Sequence, residues 1–155
     1  MITAASLAGF TESRKLSLRE QELERFLRFL SNARTEIRYA SMPVEELVRR
    51  HGEGLALWRP CMDALEAGEG FSRAWNDGVR VSKGMGLTGK DRALLMSFGE
   101  GLGTTDLEGQ MAHCDLYEGL IRCALEEAKG EKEKKGKLYQ MLGVSAGLAA
   151  ALLLW

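Results

Sequence analysis

The sequence predicts an all-α fold: a helical bundle of about five to six helices with a C-terminal transmembrane helix. Three observations predict it. Apolar residues recur at three- and four-residue steps along most of the chain. Prolines number only two and β-branched residues are few, which favours helices over sheets. Residues 138–155, LYQMLGVSAGLAAALLLW, contain no charged side chain.

Composition bounds the function. The chain's 155 residues leave room for one domain with a modest core, and 45% hydrophobic against 28% charged content excludes disorder. A formal net charge of −1 gives no basic field for nucleic acid, and 7% aromatic residues come without an RNA-stacking motif. Cys61, Cys114 and Cys123 are odd in number and form no C-x-x-C pair, so buried reduced thiols are expected. His113, Cys114 and Asp115 adjoin in sequence, but neighbours on a helix diverge by about 100°, which argues against a ligand set. No metal, cofactor, catalytic residue or small-molecule substrate is assigned.

Met1 to Phe10 is uncharged and mildly apolar, a terminus or the end of something longer. A long helix follows from Glu12 to Ala40, with Leu16, Leu23, Phe26, Leu27, Leu30, Ala33, Ile37 and Ala40 on one stripe. Arg19, Arg25, Arg28, Arg34 and Arg38 fall mostly off it, and Glu24 and Arg28 are spaced for a helical pair. These arginines read as a solvated face or as a docking surface for an acidic partner; Arg25, Arg28, Arg34 and Arg38 are the candidate docking residues. Pro43 opens a short helix through Val44, Leu47, Val48 and His51, which ends at Gly52. Leu55, Trp58, Met62 and Leu65 continue helical spacing, with Pro60 producing a kink or a fresh start. Gly68 and Gly70 break it, and Phe71, Trp75 and Val79 mark the next helix. After the connection at Gly84-Met85-Gly86, Thr88 caps a helix through Leu94, Leu95 and Phe98.

That helix runs into Phe98-Gly99-Glu100-Gly101-Leu102-Gly103-Thr104-Thr105-Asp106, followed by Gln110. Glycine tolerates the left-handed conformation that ends helices, and Thr and Asp accept bonds from a new first turn. A tight corner between two packed helices is predicted. Phosphate binding at a Gly-rich run is the competing reading, but the spacing is not a P-loop and no strand precedes it. Leu107, Met111, Leu116, Leu120, Cys123 and Leu125 then mark another long helix, and EEAKGEKEKKGK reads as its solvated extension. As a helix, residues 138–155 reach ~27 Å, enough to cross a bilayer. Tyr139 and Trp155 sit at its ends, and Lys132, Lys134, Lys135 and Lys137 before it place the preceding domain in the cytoplasm. Gly143, Gly147 and Ala151 form a small-residue edge for packing a second membrane helix.

Together these motifs resemble the stage III sporulation protein AB family. Phe98-Gly99, Leu102-Gly103, Asp106 and Gln110 follow its F-G-x-x-L-G-x-x-D-x-x-x-Q pattern, with Glu100 beside them. Lys137-Leu138-Tyr139, Leu142-Gly143 and Ala146-Gly147-Leu148 resemble its closing run. Glu36-Ile37, Tyr39, Pro43 and Ala74-Trp75 add shorter matches upstream. The resemblance implies a non-enzymatic membrane platform in the mother-cell-to-forespore secretion-like channel of endospore formation. The domain would be similar to secretion and pilus platforms. Implied partners are the stage III sporulation protein AA-type ATPase, other channel components and the mother-cell membrane facing the forespore. Residues 1–10 would then be the remnant of an N-terminal membrane helix, 11–129 the cytoplasmic helical domain, 130–137 a charged juxtamembrane segment and 138–155 the membrane helix. The family normally opens with a full membrane helix; the short start here fits either a start downstream of the true one or a single tail anchor. Two other functions are carried beside the leading one. One is a tail-anchored helical adaptor unrelated to sporulation; the other is a nucleotide-binding enzyme using Gly99–Gly103.

Overall fold

The computed structural model describes residues 2–82 and 85–153, with side chains except at 2–8, 10, 147, 150 and 153. Six helices and no strand occur among the described residues: α1 (Ile2–Ala40), α2 (Val44–His51), α3 (Trp58–Glu66), α4 (Phe71–Val81), α5 (Gly89–Gly101) and α6 (Leu107–Leu153). α1 and α6 pack along each other as an antiparallel shaft. Ion pairs give its register, because the α6 partner number falls as the α1 number rises: Glu12–Lys135, Glu20–Lys132, Glu24–Lys129 and Arg34–Asp115. The four short helices form a head on one side, in sequential contact from α1 through α2, α3, α4 and α5 to α6.

Local chemistry explains the breaks. Ser41 adopts φ 46 as α1 ends, and Pro43 holds φ −56 at the N-cap of α2, a geometry that keeps the preceding residue out of a helix. Pro60 lies in the first turn of α3, where its missing N–H breaks no helical bond. At the start of α5 a full capping box forms: Thr88 Oγ1 accepts from Asp91 N and Asp91 Oδ2 accepts from Thr88 N.

The core is built where shaft and head meet. Phe26 and Phe29 of α1, Trp75 of α4 and Phe98 of α5 are buried, with ring centroids 5.4 to 6.3 Å apart. Tilted and edge-on pairs of this kind each add about 0.5–1.5 kcal/mol beyond area burial. Trp75 also donates from Nε1 to Leu95 O at 2.6 Å, so its one polar atom is satisfied inside the core.

Several expectations need correction. Arg19 is not on a solvated face; it is 2% exposed. Phe29, absent from the expected stripe, is buried, whereas Ala40 is exposed. Leu116 and Leu120 are 58% and 39% exposed, and Cys123 is exposed. Leu125 is buried as expected, and the rest of the α6 seam is Cys114, Ile121, Ala124 and Ala128, the small alanines letting the two shaft helices approach closely. Arg28 makes no pair with Glu24, whose partner is Lys129 across the shaft.

The C-terminal transmembrane helix expected over 138–155 is described only as the end of α6, to Leu153. Among the described residues no helix is long and apolar enough to cross a membrane. The described apolar part, 138–153, reaches about 24 Å against a hydrocarbon core of about 30 Å, and lysines occupy the turn before it. Leu154 and Trp155, which include the outer aromatic of the expected span, lie outside the described residues.

Candidate functional site

The glycine-rich corner is the most tightly specified part of the head. α5 ends at Gly101, Leu102 caps it and Gly103 takes φ 80, a conformation that L side chains rarely adopt. Gln110 folds back over the turn: its Oε1 accepts from Gly103 N at 2.9 Å, and its Nε2 donates to Gly101 O at 3.1 Å and Thr105 Oγ1 at 3.0 Å. Asp106 caps α6, its Oδ1 accepting from Gly109 N at 2.9 Å. Gly99 is small for a different reason, since a Cβ there would collide with the Trp75 indole. Glu100 stands outside this mesh and accepts from Asn76 Nδ2 at 3.1 Å. His113 stacks on Phe98 and bonds Phe98 O through Nε2 at 2.8 Å. The motif's polar atoms are therefore spent on the joint itself, and the glycines give room to Trp75 and to the turn rather than to a ligand.

At the opposite end of α5 lies a feature that the sequence did not disclose. Arg19 donates from Nε to Asp91 Oδ2 at 2.7 Å and from Nη2 to Asp91 Oδ1 at 3.0 Å. Both side chains are buried, and the Asp91 hydrogen bonds hold the guanidinium more basic than usual. Glu127 and Glu131 of α6 approach Arg19 at 3.6 Å each, so one cation joins α1, α5 and α6. Arg19 Nη1 is buried without a hydrogen bond, because the Glu131 contact is an ion pair only. Thr88 three residues before Asp91 signalled the cap, but nothing in the linear sequence pointed that carboxylate at Arg19.

The four candidate docking arginines separate. Arg25 pairs with Glu22 at 3.3 Å, and Arg34 reaches Asp115 on α6 at 3.1 Å. Arg28 and Arg38 have no ion-pair partner among the described residues. Arg34 and Arg38 line a shallow cleft of about 310 Å³ with Ser31, Thr35 and Tyr39. The small-residue edge stays unpartnered at Gly143, where an added Cβ would meet nothing, and Ala151 is exposed. The side-chain surroundings of Gly147 lie outside the described residues.

Cys61 and Cys114 are buried, which pushes each thiol up to about 11. The neighbours of Cys114 diverge, with His113 turned to Phe98 and Asp115 to Arg34. Among the described residues no group of His, Cys, Asp and Glu is arranged to hold a metal ion.

A long antiparallel shaft, a small helical head and a hydrogen-bonded glycine corner define a structural, helix-built module. The family model described as stage III sporulation protein AB matches residues 1–155, and the chain belongs to that family. Membership supports a role in sporulation. A solved structure of stage III sporulation protein AB is similar at 20% identity and TM-score 0.66, covering 76% of this chain and 98% of that one; at this identity it speaks for the fold. No curated protein matches the chain.

Proposed function

We propose that this protein is a non-enzymatic membrane platform of the mother-cell-to-forespore secretion-like channel, and that it anchors or docks the channel's cytoplasmic ATPase. The observation that carries the reading is the apolar end of the shaft. Leu138, Met141, Leu142, Val144, Leu148 and Leu152 are all more than half exposed on consecutive turns of α6. A run of this size calls for lipid or protein around it. In this proposal residues 138–155 enter the mother-cell membrane facing the forespore, with Gly143, Gly147 and Ala151 as the edge for a neighbouring helix. The head then stands in the cytoplasm on a shaft stiffened by ion pairs. Arg28 and Arg38, with Arg25 and Arg34 beside them, would meet carboxylates of the ATPase. Family membership favours this sporulation role over an unrelated adaptor, and the filled glycine corner disfavours nucleotide binding.

The test is capture of the stage III sporulation protein AA-type ATPase by the full chain in mild detergent. Changing Arg25, Arg28, Arg34 and Arg38 together to Glu should suppress capture while circular dichroism stays unchanged, and salt should weaken the wild-type complex. Undiminished capture by the folded variant eliminates this face. No capture by the wild type overturns the docking role.

A further inference from the structure

The lysine run before the apolar segment suggests, in print, a basic collar. The structure assigns most of that charge elsewhere. Lys132 is bound to Glu20 at 2.8 Å, Lys135 to Glu12 at 2.6 Å and Lys137 to Glu133 at 2.7 Å. At the same end, Glu127 and Glu131 serve Arg19, Asp91 is held by Arg19, and Asp77 pairs with Arg80. Each of these carboxylates is matched to a cation. Five cations in this region have no carboxylate partner among the described residues: Arg14 and Lys15 of α1, Lys90 and Arg92 of α5, and Lys134 of α6.

The fold gathers the head's share of these charges to the shaft's apolar end. Gly86, in the turn between α4 and α5, packs so closely that a Cβ would collide with Lys15 O. Asp91 on the first turn of α5 reaches Arg19, one turn further along α1. The end of α4 and the start of α5 therefore sit level with residues 15–19, just above the Glu12–Lys135 pair and the apolar stretch beyond it. Arg92, half-buried, donates from Nη1 to Leu87 O at 3.2 Å. With Arg80, Val81 and Met96 it lines an open cleft of about 480 Å³, and Val81 is 59% exposed. Two guanidinium groups at an uncovered apolar side chain, with exposed lysines on the neighbouring turns and an apolar helix end beyond, match the boundary layer of a bilayer.

We infer that the end of the head nearest the apolar helix end, with Lys90 and with Arg92 at the Val81 cleft, together with Arg14, Lys15 and Lys134 of the neighbouring shaft, rests on anionic phospholipid headgroups. This rests on the membrane reading of the shaft end and adds the lipid class and the surface that recognises it. The unpaired charge, rather than the paired lysine run, supplies the attraction. Protein carboxylates are the competing source of negative charge. The continuity of this face with the apolar helix end favours lipid.

The experiment is flotation of the full chain, delivered from dilute detergent, with neutral phosphatidylcholine vesicles or vesicles containing phosphatidylglycerol. The wild type should require about tenfold less lipid on the anionic vesicles, with the difference shrinking as salt is added. A Lys15→Gln, Lys90→Gln, Arg92→Gln variant should lose that preference and keep its binding to neutral vesicles. A Lys15→Arg, Lys90→Arg, Arg92→Lys variant should retain it, which separates charge from packing. Equal lipid requirement for both compositions, or a preference surviving in the Gln variant, overturns the inference alone. Failure to float with either composition overturns it together with the membrane reading. Should the triple Gln variant misfold, the single variants Lys15→Gln and Lys90→Gln, both at exposed side chains, should each reduce the preference, and an unchanged preference in both overturns the inference.

Discussion

Arg19 and Asp91, 72 residues apart in sequence, meet in a two-point ion pair with both side chains almost fully buried. The pair ties the head to the shaft at the start of α5, and the same Asp91 caps that helix through Thr88. Removing Asp91 leaves the buried Arg19 with only the longer Glu127 and Glu131 contacts, takes away its two hydrogen bonds and loosens the cap. Asp91→Ala should therefore destabilise by about 3–5 kcal/mol. Denaturation of the full chain in detergent, followed by tryptophan fluorescence, checks it. Replacing both, as Arg19→Met with Asp91→Leu, should cost less than Asp91→Ala alone.

Two corner glycines should fail for different reasons. Gly99→Val forces a side chain into the Trp75 indole, and Gly103→Val imposes a side chain at φ 80. Each should destabilise by more than ~1 kcal/mol in the same denaturation assay. Gly103→Asn should be tolerated better, because Asn accepts left-handed geometry, whereas Gly99→Asn should not.

Much of this fold was legible because periodicity and punctuation agree in one sequence. Thr88, Gly68, Pro43 and the 99–110 corner all mark real helix boundaries. What stayed hidden depends on partners far away in the chain. Arg19 looked solvated because its carboxylate is on another helix, and Leu116 and Leu120 looked buried because leucine usually is. The choice between seams on α6 turned on Ala124 and Ala128, whose small size matters only once α1 is beside them. The candidate docking face was legible as a set of arginines, but the ion pairs of Arg25 and Arg34 require the tertiary structure.

Thiol chemistry should separate the three cysteines. Cys123 is exposed, while burial holds Cys61 and Cys114 as protonated thiols well above neutral pH. Maleimide labelling at neutral pH should modify Cys123 alone in the folded chain and all three after denaturation. Mass spectrometry of the labelled peptides reads this directly, and rapid labelling of Cys61 in the folded chain would contradict its placement.

The Glu12–Lys135 clasp has a pH signature. The Lys135 hydrogen bond holds the Glu12 carboxyl below its usual range. A depressed carboxylate stabilises the fold above its unfolded value, and that contribution is lost as pH falls through the lower folded value. The clasp should thus persist at mildly acidic pH and open only below the ordinary carboxylate range. An NMR titration of the Glu12 carboxyl should show a lowered midpoint, and Lys135→Gln should move it back toward the ordinary range, with Lys15 still holding it down in part.

The central claim, that the apolar end of the α1–α6 shaft holds this sporulation protein in a membrane, is tested most directly by fractionating sporulating cells. Deleting residues 138–155 should release the protein from washed membranes, and Ala149→Arg should weaken insertion by about 2.5–3.5 kcal/mol. Recovery of the truncated chain in washed membranes at the wild-type level would contradict the claim.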